Sequence, residues 1–230
     1  MNIIAVLANS LSHASAAMSW RGLRALLEHS LSGLPAATQV LNVGAGGRTG
    51  TVLGRIKADS GFELTSLDID PARQPDVVAD IVSYAPPRQY DVIVMIEVLE
   101  HVHDPLAAVR NLRRLLKPGG MLVLSAPFMF PLHDRPHDFY RFTRYGLELM
   151  LAEFEAVEVK ERDSWAEVLC VLLARMSRER SFGARVFAPV AVLAAIVSYP
   201  LAMLLVRLVR SDALTIGYTV TARKPARALG

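Results

Sequence analysis

The feature that most constrains the fold is a regular alternation of short apolar segments and helical patterns. The strand-like segments are residues 37–43, 62–67, 76–79, 90–96, 121–126, 156–159 and 214–222. Helical spacing of apolar residues lies between them, most clearly after Asp104-Pro105 and over residues 143–154. Strands that alternate with helices form a mostly parallel sheet through right-handed crossovers. Ligands bind such sheets beyond the carboxyl ends of the strands.

The first strand runs into a glycine-rich turn, Gly44-Ala45-Gly46-Gly47. Glycines let the backbone turn tightly and let a ligand approach it closely. Asp68 ends the second strand, where a carboxylate can accept hydrogen bonds from ribose hydroxyls. Asp80 ends the third strand and could receive an adenine amino group. These residues allow NAD or S-adenosylmethionine, and an ordinary turn with solvated acids is the alternative.

Four blocks discriminate between these cofactors. They are Asn-Val-Gly-Ala-Gly at 42–46, Leu-Asp-Ile-Asp at 67–70, Tyr-Asp-Val-Ile-Val-Met-Ile-Glu-Val-Leu-Glu-His-Val at 90–102 and Leu-Lys-Pro-Gly-Gly-Met-Leu at 116–122. In this order and spacing the chain resembles the class I S-adenosylmethionine-dependent methyltransferases. The Val-Leu-Glu-His and Lys-Pro-Gly-Gly blocks are the specific ones, and NAD dehydrogenases lack them.

The resemblance covers residues 37–160 and the last strand. It implies a Rossmann-like α/β fold with seven mostly parallel strands and helices on both faces. The seventh strand is antiparallel and inserted between the fifth and the sixth. The implied cofactor is S-adenosylmethionine, and the residues that would bind it follow the strands: Asn42, Gly44, Ala45, Gly46, Asp68, Ile69, Asp80, Ile81, Glu97 and Val98.

Each group of these residues has an implied role. The glycine turn would wrap the amino-acid end of the cofactor, and Asp68 would hold the ribose. Asp80 and Ile81 would contact the adenine, and Glu97 with Val98 would lie beneath the methionine moiety. Asn42 departs from the family, which commonly has an acid at that position. An asparagine still donates and accepts hydrogen bonds.

Residues 127–142 are the candidate acceptor-binding segment, because ionisable groups and rings concentrate there after the fifth strand. If the acceptor is a hydroxyl, a base assists its deprotonation. The candidate catalytic residues are His133 and His137, favoured because each has an aspartate as its sequence neighbour, and His101. The candidate substrate-binding residues are Asp138, Tyr140 and Arg141. The alternative is that these side chains only tie the loop together. No metal site is expected, because Pro136 disfavours a helix through His133 and His137 and no third ligand is evident.

Residues 186–206 carry no charge and are flanked by arginines. One crossing of a bilayer would separate the last strand from its own sheet. Two interpretations remain open. The run forms a helical hairpin that turns near residues 198–200 and dips into one membrane face, or it packs against the domain or a second subunit, as in a homodimer. Residues 163–176 are predicted to form an amphipathic helix leading into it.

We expect a single methyltransferase domain over residues 1–230. It comprises an N-terminal helical segment at 1–36, a cofactor-binding core at 37–160, a helical apolar insertion at 163–210 and the last strand at 214–224. Residues 1–17 read as a helix rather than a signal peptide, since a basic start is missing. The single cysteine, Cys170, fits a reducing compartment. We therefore expect a cytoplasmic location, either free or peripheral on the inner face of the membrane.

The function predicted from these features is methyl transfer from S-adenosylmethionine to an unidentified acceptor, such as a hydroxyl of a glycan- or lipid-linked substrate. One alternative is a non-catalytic S-adenosylmethionine-binding or interaction protein of the same fold, and another is an NAD-dependent enzyme. The net charge is only +3, and basic patches with interleaved aromatic residues are missing, so no nucleic-acid partner is expected.

Overall fold

A computed structural model describes residues 20–176, 182–209 and 211–226 of the 230-residue chain. The strands are β1 Gln39–Val43, β2 Glu63–Asp68, β3 Val77–Val78, β4 Tyr90–Ile96, β5 Leu116–Pro127, β6 Glu155–Glu161 and β7 Gly217–Arg223. The helices are α1 at 20–31, α2 Gly47–Ser60, α3 Pro105–Leu115, α4 Arg144–Met150, α5 Trp165–Met176 and α6 Phe182–Leu208. The predictions for residues 1–17 lie outside the described residues.

The seven strands form one sheet in the order β3-β2-β1-β4-β5-β7-β6. β1 pairs in parallel with β2 and β4, and β4 pairs in parallel with β5. β7 runs the other way. The N–H of Lys224 bonds the carbonyl of Gly120 near the start of β5, and the N–H of Phe128, just after β5, bonds the carbonyl of Ile216. The predicted fold, with an antiparallel seventh strand between the fifth and sixth, is confirmed.

The strand order places a topological switch at the centre of the sheet. The chain proceeds outward from β1 to β2 and β3, then returns to the other side of β1 for β4 and β5. Val43 at the end of β1 lies in register with Met95 of β4. The loops that follow β1 and β4 therefore leave adjacent strand ends in opposite directions. Doubly wound sheets bind ligands in the crevice between two such loops.

Helix α3 illustrates how the local sequence sets an element. The Asp104 carboxylate accepts the N–H of Ala107 at 2.8 Å, and Pro105 is the first helical residue. The buried face of α3, which includes Val109 and Leu112, belongs to the core beside β5. The helix ends at Leu115 and β5 begins at Leu116, so the predicted placement of Lys-Pro-Gly-Gly before the strand is wrong.

The Lys-Pro-Gly-Gly segment instead starts the strand and anchors it to β4. Lys117 Nζ donates to both carboxylate oxygens of Asp91, at 2.9 and 2.8 Å. A Cβ at Gly120 would lie 2.9 Å from the Lys117 carbonyl oxygen and 3.1 Å from that of Asp91. The glycine is required by the close approach of two backbones, and this block serves the sheet rather than the site.

The described residues divide into two compact units. The sheet unit comprises residues 23–127, 134–160 and 218–226, and its fully buried side chains include Leu41, Ile93 and Leu112. The helical unit comprises residues 20–22, 128–133, 161–176, 182–209 and 211–217. A small core of Val168, Val171 and Ile216 lies in the helical unit. The expectation of a single domain stays a prediction.

The uncharged residues 186–206 do not form the helical hairpin that was one of the two expectations. Residues 182–208 form one continuous helix through Ser198 and Pro200. The predicted turn is therefore wrong. In the part of the chain that the structure describes, no helix is both long enough and apolar enough to cross a membrane.

Candidate functional site

The glycine turn that follows β1 is held open by left-handed backbone geometry. Gly44, Gly46 and Gly47 have φ values of +90°, +79° and +59°. The N–H of Gly44 donates to the carbonyl of Leu67 at 2.8 Å, which links the turn to β2. A Cβ at Gly44 would lie 2.4 Å from Val98 Cγ2, whereas one at Gly46 would meet open space. The turn thus packs closely against the loop after β4 on one side and faces open space on the other.

Asp68 connects the glycine turn to the end of β2. One carboxylate oxygen accepts the N–H of Ala45 at 2.8 Å, and the other accepts the N–H of Asp70 at 2.9 Å. The Nε atom of Arg73 lies 3.7 Å from the carboxylate oxygen that accepts the Ala45 N–H. The residue is only 8% exposed, yet each oxygen retains a lone pair for a further donor. The structure brings together Gly44, Ala45, Gly46 and Asp68, as the sequence predicts for a nucleotide site.

Asn42 lies beneath this turn, buried in β1. Its Nδ2 donates to the carbonyl of Gly44 at 3.1 Å. Its Oδ1 is buried and has no hydrogen-bond partner among the described residues. A buried acceptor without a donor is uncommon and calls for an explanation.

Glu97 and Val98 follow β4 on the opposite side of the switch point. Glu97 has a φ of +52°, an unusual conformation for a residue with a side chain. Its carboxylate accepts the hydroxyl of Ser125 at 2.9 Å, and its N–H donates to the same hydroxyl oxygen at 3.1 Å. Ser125 is fully buried in β5 and was not predicted as a site residue. Its position near the carboxyl end of a central strand was the available signal.

The residues predicted to meet the adenine have different surroundings. Asp80 is exposed, and its carboxylate accepts the N–H of Val82 at 2.9 Å. Ile81 is 4% exposed, and its carbonyl accepts Asn111 Nδ2 at 2.6 Å. Ile69, predicted to bind the cofactor without a specified role, is 69% exposed. Asn111 also bonds the carbonyl of Tyr84, so this buried amide of α3 fixes the loop after Asp80.

Both ring nitrogens of His101 have polar neighbours in the sheet unit. Its Nδ1 lies 2.7 Å from the backbone carbonyl oxygen of His137. Because a carbonyl only accepts, Nδ1 carries the proton, and in the neutral ring Nε2 is then the basic nitrogen. Nε2 lies 3.7 Å from a carboxylate oxygen of Glu100 and 4.0 Å from one of Asp134. The orientation of this ring is therefore set by the loop after β5.

Glu100 is a buried acid that the sequence analysis did not select. It is fully buried, and its carbonyl accepts the N–H groups of Phe139 and Tyr140 at 2.9 and 3.3 Å. These bonds hold the acceptor segment against the loop after β4. The burial of Glu100 depends on tertiary packing, so the sequence alone does not indicate it.

The predicted substrate-binding residues mostly bond to one another. Arg141 forms two hydrogen bonds with the carboxylate of Asp138, at 2.6 and 2.7 Å, and these bonds raise the pKa of Arg141. The hydroxyl of Tyr140 donates to the carbonyl of His103 at 2.9 Å. These contacts favour a structural role in the loop.

The other two candidate histidines lie in the segment that follows β5. The His137 ring is exposed and lies 6.2 Å from the Phe139 ring, so its defined contribution is its backbone carbonyl. His133 belongs to the helical unit, where its Nδ1 lies 3.4 Å from the Pro131 carbonyl and its ring meets Phe130 edge-on at 5.3 Å. Roles for these two residues stay predictions.

Comparison with known proteins identifies a family to which this chain is similar. A family model described as a methyltransferase domain matches residues 6–163. The ubiquinone biosynthesis O-methyltransferase of Pseudomonas aeruginosa is 30% identical over 143 residues, which cover 47% of this chain and 60% of the relative. The enzyme of the same name from Pseudomonas entomophila is 27% identical over 158 residues, 55% of this chain and 67% of the relative. The chain thus spans about 60% of the length of the P. aeruginosa protein.

Solved structures share the fold. The [4+2]-cyclase SpnF superposes with a TM-score of 0.57 at 20% identity, over 89% of this chain and 81% of its own. Phosphoethanolamine N-methyltransferase 2 of Haemonchus contortus, in complex with S-adenosyl-L-methionine, has a TM-score of 0.56 at 16% identity, over 89% of this chain and 52% of its own. At these identities the likeness is one of fold, and a fold can host several reactions.

Proposed function

Because this chain belongs to the methyltransferase domain family, we propose that it transfers the methyl group of S-adenosylmethionine to a hydroxyl of a lipid- or glycan-linked acceptor. The family match confirms the resemblance to class I S-adenosylmethionine-dependent methyltransferases. The hydrogen bond from the Ala45 N–H to the Asp68 carboxylate carries the proposal, since it joins the glycine turn and the ribose-binding acid into one unit.

The residues around the glycine turn fit this cofactor. A side chain at Gly44 would fill space that Val98 occupies, and the region over Gly46 is open to a ligand. Asp68 retains acceptor capacity for ribose hydroxyls beyond its two backbone bonds. The partnerless Oδ1 of Asn42 is a neutral acceptor at the position where the family commonly has an acid. It would contribute to holding the methionine end.

When bound, the cofactor supplies a methyl group already activated on a sulfonium. What the protein must add is orientation of the acceptor and removal of its proton. We assign proton removal to His101, because the bond from its Nδ1 to the His137 carbonyl leaves Nε2 as the basic nitrogen. Glu100 and Asp134 face that nitrogen and would stabilise the imidazolium that forms.

Two observations support a hydroxyl acceptor with an apolar part. The P. aeruginosa and P. entomophila relatives are O-methyltransferases by name. Beside His101, the loop presents a cluster of rings: His103 and Phe139 have centroids 4.3 Å apart, and Phe139 and Tyr140 have centroids 6.5 Å apart. Phe139 and Tyr140 are 37% and 39% exposed, so both offer apolar surface to an acceptor.

The cofactor half of the proposal is tested by calorimetric titration of the full chain with S-adenosylmethionine, S-adenosylhomocysteine and NAD in parallel. We expect binding of the two sulfur compounds and none of NAD. Binding of NAD alone would overturn the proposal. Transfer of radiolabelled methyl to hydroxyl-bearing or amine-bearing acceptors, in organic and aqueous extracts, then tests the acceptor class. Label only in amines would refute the hydroxyl assignment.

A second candidate is a member of the same fold that binds the cofactor without methyl transfer. The cyclase among the structural neighbours and the exchange of an acid for Asn42 favour considering it. It predicts cofactor binding with no transfer to any acceptor. Methyl transfer by the wild-type chain distinguishes the two, because the second candidate binds the cofactor and methylates nothing. Transfer gained by Asn42→Asp would identify the asparagine as the cause of its loss, although the variant also gives up the hydrogen bond from Nδ2 to the Gly44 carbonyl.

A further inference from the structure

Helix α6 exposes a long apolar face. Six large side chains at helical spacing are each 55–69% exposed: Phe187, Val190, Leu193, Val197, Leu201 and Leu204. We call them the α6 face. Over these positions the helix extends about 25 Å at 1.5 Å per residue. Soluble proteins rarely expose a continuous apolar strip of this length unless it meets a partner or a membrane.

The opposite side of α6 is already occupied within the helical unit. Tyr199, Ala202, Met203 and Val206 are half-buried, and at about 100° per residue they point away from the α6 face. α6 packs along α5, and the indole Nε1 of Trp165 donates to the carbonyl of Val209 at 3.0 Å. One side of α6 therefore packs against α5, and the α6 face on the other side is exposed to solvent.

Ser198 is a polar residue within this stretch, and its hydrogen bond is internal. Its hydroxyl donates to the carbonyl of Ala194 at 2.6 Å, the helical partner four residues earlier. That bond reduces the cost of placing the hydroxyl in an apolar medium. The exposed surface of α6 can therefore enter a water-poor environment.

Charge identifies the partner. Between residues 186 and 206 the sequence has no ionised side chain. Within eight residues of either end lie five arginines, against the two acids Glu179 and Asp212. Arg175, farther along the chain, instead packs over the Phe130 ring, 4.2 Å from its centroid. Pairing the α6 faces of two copies, parallel or antiparallel, would bring arginine-rich ends against arginine-rich ends. An anionic lipid surface instead satisfies both features, because acyl chains accept the apolar strip and phosphates attract the arginines.

We propose that the α6 face lies in the plane of an anionic phospholipid surface, with its flanking arginines at the headgroups. The proposal concerns where the chain works and is independent of the reaction. It goes beyond the predicted hairpin, since one continuous helix lies flat on the surface and buries one side only.

The test is cosedimentation of the full chain with vesicles of phosphatidylcholine, with and without phosphatidylglycerol. We expect binding to the anionic vesicles and much weaker binding to the neutral ones. The triple variant Leu193→Ser, Val197→Ser and Leu201→Ser should weaken vesicle binding roughly tenfold or more, given the apolar area removed. Arg207→Gln should weaken only the binding to anionic vesicles.

The matched control is Leu149→Ser, which removes an equally exposed leucine, 77% accessible, from α4 of the sheet unit. It should bind vesicles like the wild type. S-adenosylmethionine titration of each variant reports whether the sheet unit is intact, so failure of the lipid proposal and failure of the proposed function are separable.

Three outcomes would overturn the proposal. They are no binding of the wild type to anionic vesicles, equal binding of the triple variant, or a concentration-dependent dimer that the triple variant abolishes in the absence of lipid. A fluorophore on Val197→Cys adds a direct readout, because the natural Cys170 is buried. Its emission should shift to the blue on anionic vesicles, and the same label on Leu149→Cys should not respond.

Discussion

Both units of this protein bury charged groups, and they differ in the apolar surface that they expose. In the sheet unit, carboxylates such as Asp68 and Glu97 lie at strand ends and are satisfied by backbone N–H groups and a hydroxyl. The helical unit also buries charged groups, among them Arg162 and Asp163, but it exposes the apolar α6 face. The first arrangement preorganises a polar site, whereas the second costs stability in water and is favourable where a partner covers it. Changes in the sheet unit should therefore affect ligand binding and turnover, and changes in the helical unit should affect stability and surface association.

The largest effect is expected from His101→Ala. Loss of a general base typically lowers turnover about 10²–10⁴-fold. Cofactor affinity should not change, because the His101 ring is bonded to the loop after β5, at the His137 carbonyl. The rate of methyl transfer to the acceptor found by the extract screen is the measurement.

His137→Ala is the matched comparison for His101. The defined contribution of His137 is a backbone carbonyl, which the variant keeps, so turnover should stay near that of the wild type. If His137→Ala is slow and His101→Ala is not, the assignment of the base is wrong.

Gly44→Ala should be the next most damaging change. It places a methyl group 2.4 Å from Val98 Cγ2 and forces alanine to a φ of +90°. Overpacking and backbone strain together cost about 2–4 kcal/mol, lost from stability, from cofactor binding or from both. Chemical unfolding and calorimetric titration measure the two losses.

Gly33→Ala is the control for Gly44, because Gly33 also has a positive φ, of +78°, but no atom within 4 Å of an added Cβ. It should cost about 1 kcal/mol of stability and leave cofactor affinity unchanged. If Gly44→Ala and Gly33→Ala lose the same stability and the same cofactor affinity, the close packing of Gly44 against Val98 does not explain the effect of Gly44→Ala.

Acid should stabilise the helical unit through Asp163. Burial and the nearby Glu167 raise the pKa of Asp163 to about 6 from 3.8, although Arg162 opposes the shift. A raised carboxyl pKa contributes stability that is complete below about pH 4 and is lost as the pH rises through 6. The loss at neutral pH is at most about 3 kcal/mol, and Asp163→Asn should abolish it.

Both tryptophans, Trp20 and Trp165, lie in the helical unit, so tryptophan fluorescence reports its unfolding. Asp76 provides the contrast in the sheet unit. Hydrogen bonds from Ser66 lower the pKa of Asp76, so its contribution is lost as the pH falls. Asp76→Asn should leave the tryptophan transition unchanged, and an unchanged pH profile in Asp163→Asn would contradict the role of Asp163.

Asp68→Asn should have a smaller effect than His101→Ala and Gly44→Ala, and the effect should fall on cofactor binding. An amide cannot accept the N–H groups of both Ala45 and Asp70, and it loses the charge that ribose hydroxyls would meet. Affinity for S-adenosylmethionine should fall by about 1–3 kcal/mol. Asp70→Asn, at an exposed neighbour, should bind normally. An unchanged affinity in folded Asp68→Asn would exclude the ribose role.

Much of the glycine turn could be predicted from the sequence, and most of the arrangement of the loop after β5 could not. The glycine turn and Asp68 were recognisable because glycine spacing and strand-terminal acids are local signals. The order of importance among the histidines was not, because it depends on a hydrogen bond between residues 101 and 137. The sequence did not predict roles for Ser125, Asn111 and Glu100 for the same reason. Each of these residues makes its main contact with a segment far away in the chain.

The sequence by itself determined the alternation of strands and helices, the glycine turn and the family, because each rests on the spacing of residue types along a short stretch. Only the tertiary structure decided that Lys117 serves the sheet, that the His101 ring is oriented by the loop after β5, and that residues 182–208 form one helix with an exposed apolar face. The physical reason is that burial and hydrogen-bond partners are properties of segments packed together, and apolar periodicity shows that a helix has a face without showing what covers it.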